Sequence, residues 1–147
     1  MKQAPDFQSD EWINSEPLSL AALSGSPFMV KFWTFGCYNC INVLPSMKAW
    51  YEDLHPEGFE IVAVHSPEFS FEKVFDNVKK AVVDQGITYP VAIDNDFSIW
   101  RAYSNQYWPT MYLVDREGWI RYVHIGEGRY DETRQAIVDL LVEQPSP

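Results

Sequence analysis

Two cysteines are present among 147 residues, and they stand close together in Trp33-Thr34-Phe35-Gly36-Cys37-Tyr38-Asn39-Cys40. The run just before them, Phe28-Met29-Val30-Lys31-Phe32-Trp33, is apolar and of strand length, and Gly36 breaks it. From Cys37 onward, Ile41, Leu44, Met47 and Tyr51 recur at helical spacing to about Leu54, with Pro45 inside the run. The pair thus falls where a strand hands over to a helix. There the unpaired N–H groups and the positive dipole end favour a thiolate, and such settings bring a cysteine pKa down from about 8.5 to a range of about 3.5–7.5. Cys37 is the expected nucleophile, and Cys40, one turn on, the thiol that resolves a mixed disulfide. A purely structural bridge is a weaker reading, because closing so short a loop contributes only about 2 kcal/mol in the chain-entropy account. Half a zinc site is weaker still, since a structural site wants four ligands and only His55, His65 and His124 supply further nitrogen donors. Redox chemistry is the reading this context favours.

The rest of the composition sets limits. Hydrophobic residues make up 46% and aromatic residues 16% of the chain, enough apolar surface to build a core and too much for a disordered scaffold. The length suits one domain over 1–147. Eleven Lys and Arg against 21 Asp and Glu leave a net charge of -10, which disfavours nucleic acid as a partner. No apolar run approaches the roughly 18 residues of a membrane span. The opening Met1-Lys2-Gln3-Ala4-Pro5-Asp6 lacks the apolar stretch of a secretory signal, so the expectation is a cytoplasmic protein; the alternative is a periplasmic or extracytoplasmic one whose leader has been trimmed.

The elements that must hold the cysteines follow an α/β pattern. Residues 1–27 form an irregular lead-in, with Trp12-Ile13 a possible edge strand. Phe59 to His65 is a second buried strand. Ser70 caps a helix through Phe71, Val74, Phe75, Val78 and Val82, and Gly86 closes it. Tyr89 to Ile93 is a short strand, and Phe97 to Tyr103 a short helix after Asp94-Asn95-Asp96. Pro109 to Val114 and Trp119 to Ile125 make a hairpin, Asp131 caps a last helix, and 143–147 is a frayed tail. The order β-α-β-α-β-α-β-β-α gives layers of helix on a mixed sheet.

At these residues the sequence resembles the thioredoxin superfamily. Trp33 leads the cysteines by four positions, Pro45 follows Cys40 by five, and Trp108-Pro109-Thr110 is similar to the family's cis-proline loop. The lead-in from Leu18 to Gly25 and the segment between 66 and 93 resemble the TlpA-like branch. His65-Ser66-Pro67-Glu68-Phe69 and Tyr122 to Gly128 look closest to the soluble domain of DipZ-type thiol–disulfide interchange proteins. The resemblance implies a thioredoxin fold with an N-terminal extension and a central strand–helix insertion. It also implies dithiol–disulfide exchange with protein thiols, a redox partner that supplies electrons, and no cofactor beyond the Cys37–Cys40 disulfide. It places substrate contacts at Gly36, Tyr38, Trp108, Pro109, Thr110 and Gly126, with Trp33 packing beside the site and shielding Cys40.

Two departures matter. Thioredoxins proper carry a buried Asp six positions before the first cysteine, where Lys31 stands here. Glu68, on the loop after the second strand, resembles an acidic residue near the cysteines of TlpA-like reductases and is the candidate to move the proton off Cys40. The Tyr38-Asn39 dipeptide holds no cation to stabilise a thiolate, which tilts the expectation towards a reductant. Two rivals stand beside this reading. A peroxiredoxin-like peroxidase fits Thr34-x-x-Cys37, although Val30 stands where its proline is expected. A copper-binding assembly factor would use Cys37, Cys40 and His124 as ligands, although such proteins space their cysteines one residue wider.

Overall fold

The computed structural model describes residues 2–143. The tail expected to fray lies, from 144 on, outside the described residues. The sheet has seven strands in the order β1-β7-β6-β3-β4-β5-β2. At its centre β3 (Phe28–Trp33) is buried along its whole length, Lys31 included, as its otherwise apolar run requires. It pairs parallel with β4 (Glu60–His65), Trp33 opposite His65, and antiparallel with β6 (Thr110–Val114), Phe32 opposite Thr110. Beyond β4 lies β5 (Val91–Ile93), parallel, and then β2 (Trp12–Ile13), antiparallel at the edge. On the other flank β7 (Trp119–Ile125) closes the hairpin with β6, and β1 (Lys2–Gln3) adds two residues beside it. This is the thioredoxin fold, with helices on both faces of a mixed sheet.

Strand alternation divides the core in two. Met29, Trp33, Ile61 and Ala63 face the helices α1 (Tyr38–Leu54), α2 (Phe75–Asp84) and α4 (Tyr130–Val142), which bury Val43, Met47, Val78, Val82, Ile137 and Leu140 against them. Phe28, Val30, Phe32, Val62 and Val64 face the lead-in residues Ala4 and Phe7 and the short helix α3 (Ser98–Ala102).

Three elements differ from expectation. The helix expected from Ser70 is a 3-10 turn over Ser70–Lys73; the chain then straightens at Val74 (φ -76°, ψ 117°) before α2 starts at Phe75. Glu72 is the reason, because its carboxylate folds back onto the backbone of Glu68 and Phe69 instead of facing solvent. β5 begins at Val91, not Tyr89, since Pro90 has no N–H to give a ladder. Asp131 does not cap α4: Arg129, in the left-handed region (φ 53°), precedes the helix, and Asp131 lies in its first turn, where the dipole favours an acid.

Candidate active site

The carboxyl end of β3 delivers Trp33 into the core, the chain turns over Thr34 to Gly36, and α1 begins. Cys37 is the N-cap of α1, with extended backbone (φ -81°, ψ 116°), and its Sγ accepts the Cys40 N–H at 3.1 Å. Cys37 is bonded to Cys40 in a disulfide with Cα atoms 5.2 Å apart. Cys37 is half-buried and Cys40 buried, so only one sulfur is open to an incoming partner. An Sγ that already receives a helix-end N–H is placed to hold negative charge when the bridge opens.

The turn before Cys37 is held by two side chains from elsewhere in the chain. His65, at the end of β4, is fully buried; its ring stacks on Phe35 (5.7 Å) and meets the edge of Trp33 (4.9 Å). The Phe35 N–H donates to His65 Nε2 at 3.2 Å, and Thr34 Oγ1 lies 3.3 Å from the same nitrogen. A backbone N–H can only donate, so the neutral ring carries its proton on Nδ1, which is buried without a partner among the described residues. Burial pulls this imidazole down to about 4 against the opposing charge of Glu72. One residue on, the Gly36 N–H donates to Glu72 Oε2 at 3.0 Å, while Oε1 accepts from Glu68 N (2.8 Å) and Phe69 N (3.0 Å). A Cβ at position 36 would lie 2.5 Å from Oε2, so any larger residue there displaces the carboxylate.

The acid whose carboxylate hydrogen-bonds the turn before Cys37 is Glu72, not the Glu68 expected near the cysteines. The Glu68 side chain is exposed and only its backbone N–H joins the network, whereas Glu72 is fully buried. The residue that signals this in sequence is a glutamate between Phe71 and Lys73, three positions after Phe69, where a capping box places its acid. Phe69 in place of Ser or Thr hides the pattern.

The other wall comes from the loop before β6. The Trp108–Pro109 peptide bond is cis and Pro109 is buried. Since Thr110 pairs with Phe32, Pro109 comes level with Trp33 at the same end of the sheet as the cysteines. The Trp108 indole is half-buried, donates Nε1–H to the Ser66 carbonyl at 2.8 Å, and packs on Trp100 (4.4 Å). Thr110 is buried, and its hydroxyl donates to the Tyr107 carbonyl at 2.7 Å, so it braces the loop from inside. Gly126 has φ 83° and donates its N–H to the Pro109 carbonyl at 2.8 Å, which makes it a turn glycine tied to the loop. Tyr38 and Gly36 are exposed at the cysteine rim. Lys31 faces the α1 side of the sheet with Met29 and Trp33; it is buried, and burial pulls its amine down to about 7.

Residues 1–123 match the model of the AhpC/TSA family. The chain belongs to that family. It is similar to proteins of the DipZ, ResA and DsbE kinds. It is 38% identical over 142 residues to protein DipZ of Mycobacterium tuberculosis, covering 94% of this chain and 20% of that one, and so spans about one fifth of the DipZ proteins it matches. It is 27% identical over 142 residues to the thiol-disulfide oxidoreductase ResA of Halalkalibacterium halodurans, covering 95% of this chain and 76% of that one. A solved structure of a DsbE-type thiol:disulfide interchange protein from Chlorobium tepidum superposes with a TM-score of 0.82 at 24% identity, over 95% of both chains. With these relatives this AhpC/TSA-family chain shares a thioredoxin-like fold, and it carries an intrinsic disulfide between Cys37 and Cys40.

The comparisons correct the expected compartment. Relatives of the ResA and DsbE kind are periplasmic or extracytoplasmic, which overturns the cytoplasmic reading drawn from the first residues. No helix among the described residues is long and apolar enough to cross a membrane. The copper reading finds no support in the geometry: His124 Nε2 lies 2.9 Å from the Glu127 carbonyl, and among the described residues no three His, Cys, Asp or Glu side chains are grouped to hold a metal.

Proposed function

We propose that this AhpC/TSA-family chain reduces disulfides of client proteins. The observation that carries the reading is the asymmetry of the cysteine pair, a half-buried Cys37 capping α1 over a buried Cys40. The Cys37 thiolate attacks one sulfur of a client disulfide and expels the other as a thiolate, leaving a mixed disulfide. The Cys40 thiolate then attacks Cys37 Sγ and releases the second client sulfur. The two protons leaving Cys37 and Cys40 end on the client thiols, the client gains two electrons, and Cys37–Cys40 is oxidised. A donor dithiol restores it by the reverse exchange. The Trp108 backbone N–H and C=O make no hydrogen bond among the described residues, which leaves them free to pair with an extended client segment beside Cys37. In this reading residues 1–147 form one domain, with 1–27 an extension and 66–93 an insertion, and the seven-stranded sheet that both segments join supports it. The experiment is capture: Cys40→Ser leaves the mixed disulfide unresolved, so client proteins accumulate on Cys37 and dithiothreitol releases them. A variant that traps nothing, together with a wild-type protein that fails to speed insulin reduction by dithiothreitol, contradicts the reading.

The AhpC/TSA match favours a second reading, a thiol peroxidase. There the Cys37 thiolate attacks the peroxide O–O bond, expelling hydroxide or an alkoxide, and Cys40 displaces water from the resulting sulfenic acid. Peroxide consumption that survives Cys40→Ser, with dithiothreitol as reductant, selects this reading over the first.

A further inference from the structure

Glu72 has a task that a carboxylate needing only solvent would not have. It is fully buried, and its hydrogen bonds among the described residues come from three backbone N–H groups, which is the environment of an anion. Its two oxygens join segments far apart in the chain: Oε2 holds Gly36, the residue before the nucleophile, and Oε1 holds the loop at Glu68 and Phe69. We propose that Glu72 is a positioning residue for disulfide exchange, its buried carboxylate fixing the turn before Cys37 while its negative charge opposes the thiolate forming next door and so keeps the couple reducing. This rests on the exchange reading above.

The balance is simple. Reduction adds two electrons and two protons to Cys37–Cys40 and gives two thiols. At a pH where the Cys37 proton would leave, a nearby anion raises the energy of the thiolate, and the open form returns its electrons to an acceptor more readily. The dipole end of α1 and the Cys40 N–H act the other way. Other titratable groups around the turn include His65 on β4, Lys31 on β3, Tyr38 and Cys40 on α1, and Glu68 on the loop after β4. Lys80 and Asp84 of α2, beside the groove that Phe35 and Phe71 line, are paired with each other at 2.6 Å. Glu127, after β7, faces Asn42 at 3.4 Å.

The test is the pH profile of Cys37 alkylation by iodoacetamide in the reduced protein, with the dithiothreitol exchange equilibrium beside it. In Glu72→Gln the midpoint moves down by about one pH unit, so alkylation below both midpoints is roughly tenfold faster. Above them the exchange constant moves about tenfold towards the dithiol, about 30 mV. Glu72→Asp keeps the charge on a shorter arm and holds the midpoint near its wild-type place. If the Gln variant leaves the midpoint unmoved, or if Asp lowers it as far as Gln does, the charge has no part and the proposal is wrong. Should Glu72→Gln fail to fold, Gly36→Ala reports instead: its Cβ displaces Oε2, and an unmoved midpoint again overturns the proposal. A wild-type protein that does not exchange with dithiothreitol at all refutes the exchange reading itself, a separate outcome.

Discussion

His65 accepts the Phe35 backbone N–H through Nε2 at 3.2 Å, and this bond exists only while the ring is neutral. Burial holds the imidazole at about 4, below its ordinary 6.5, so the folded protein binds fewer protons than the unfolded chain between those values. The stability due to the neutral ring is whole above pH 6.5, falls as pH drops through 4, and is flat below. A shift of this size corresponds to about 3 kcal/mol. The check is denaturant unfolding of wild type and His65→Asn from pH 7 to 3.5. The difference between the two proteins shrinks across the window; a constant difference refutes the account.

Lys31 follows the same logic with a different window. Burial sets its amine at about 7 against an ordinary 10.5, so the unfolded chain binds the extra proton between those values. The cost is absent above pH 10.5, grows as pH falls towards 7, and is constant below. Lys31→Met removes it, and the expected gain at pH 7 is on the order of 4 kcal/mol, discounted for any repacking of the thioether. Unfolding midpoints at pH 7 and pH 10 check it, since the gain at the higher pH is small.

Lys31 also shows what sequence can and cannot reveal about this site. A charged residue inside an apolar strand is visible at once, and so were the cysteine pair, the strand–helix handover and the hairpin, because each is written in local period or turn chemistry. His65 and Glu72 were not legible as struts. They reach the turn before Cys37 from 30 and 36 positions away, through register (His65 opposite Trp33) and through a 3-10 turn that no apolar period announces. The helix expected from Ser70 would carry Phe71 and Val74 on a buried face, but both are exposed and Glu72 takes the interior place. A hydrophobic pattern ranks Phe over Glu, and here three backbone donors reverse that order.

Trp108 is tied down through its indole, whose N–H donates to the Ser66 carbonyl at 2.8 Å. Trp108→Phe keeps an aromatic face against Trp100 but removes that donor, so the loop before Pro109 loosens beside the cysteines. The expected result is a severalfold higher KM for a protein disulfide with a smaller change in kcat, a loss of about 1 kcal/mol in binding. Steady-state insulin reduction measures both constants. A fall in kcat alone assigns the indole to the chemical step instead of the groove.

Ser66 links that wall to the far side of the sheet. Its hydroxyl donates to Asp94 Oδ2 at 2.7 Å, and the same carboxylate accepts from Ile99 N (2.9 Å) and Trp100 N (3.1 Å) at the start of α3. Burial raises the Asp94 carboxyl above its ordinary range, and the Ser66 hydroxyl pulls it back down. Ser66→Ala removes one donor from a buried anion, with an expected cost of about 2 kcal/mol. The sign with pH follows from which form is harmed. Without the hydroxyl, Asp94 rises further in the folded state, so the loss is full at neutral pH and shrinks as acid protonates the carboxyl. Unfolding of both proteins at pH 7 and near pH 3 measures the two ends, and a penalty that stays the same at acid pH rules out the Asp94 anion as its source.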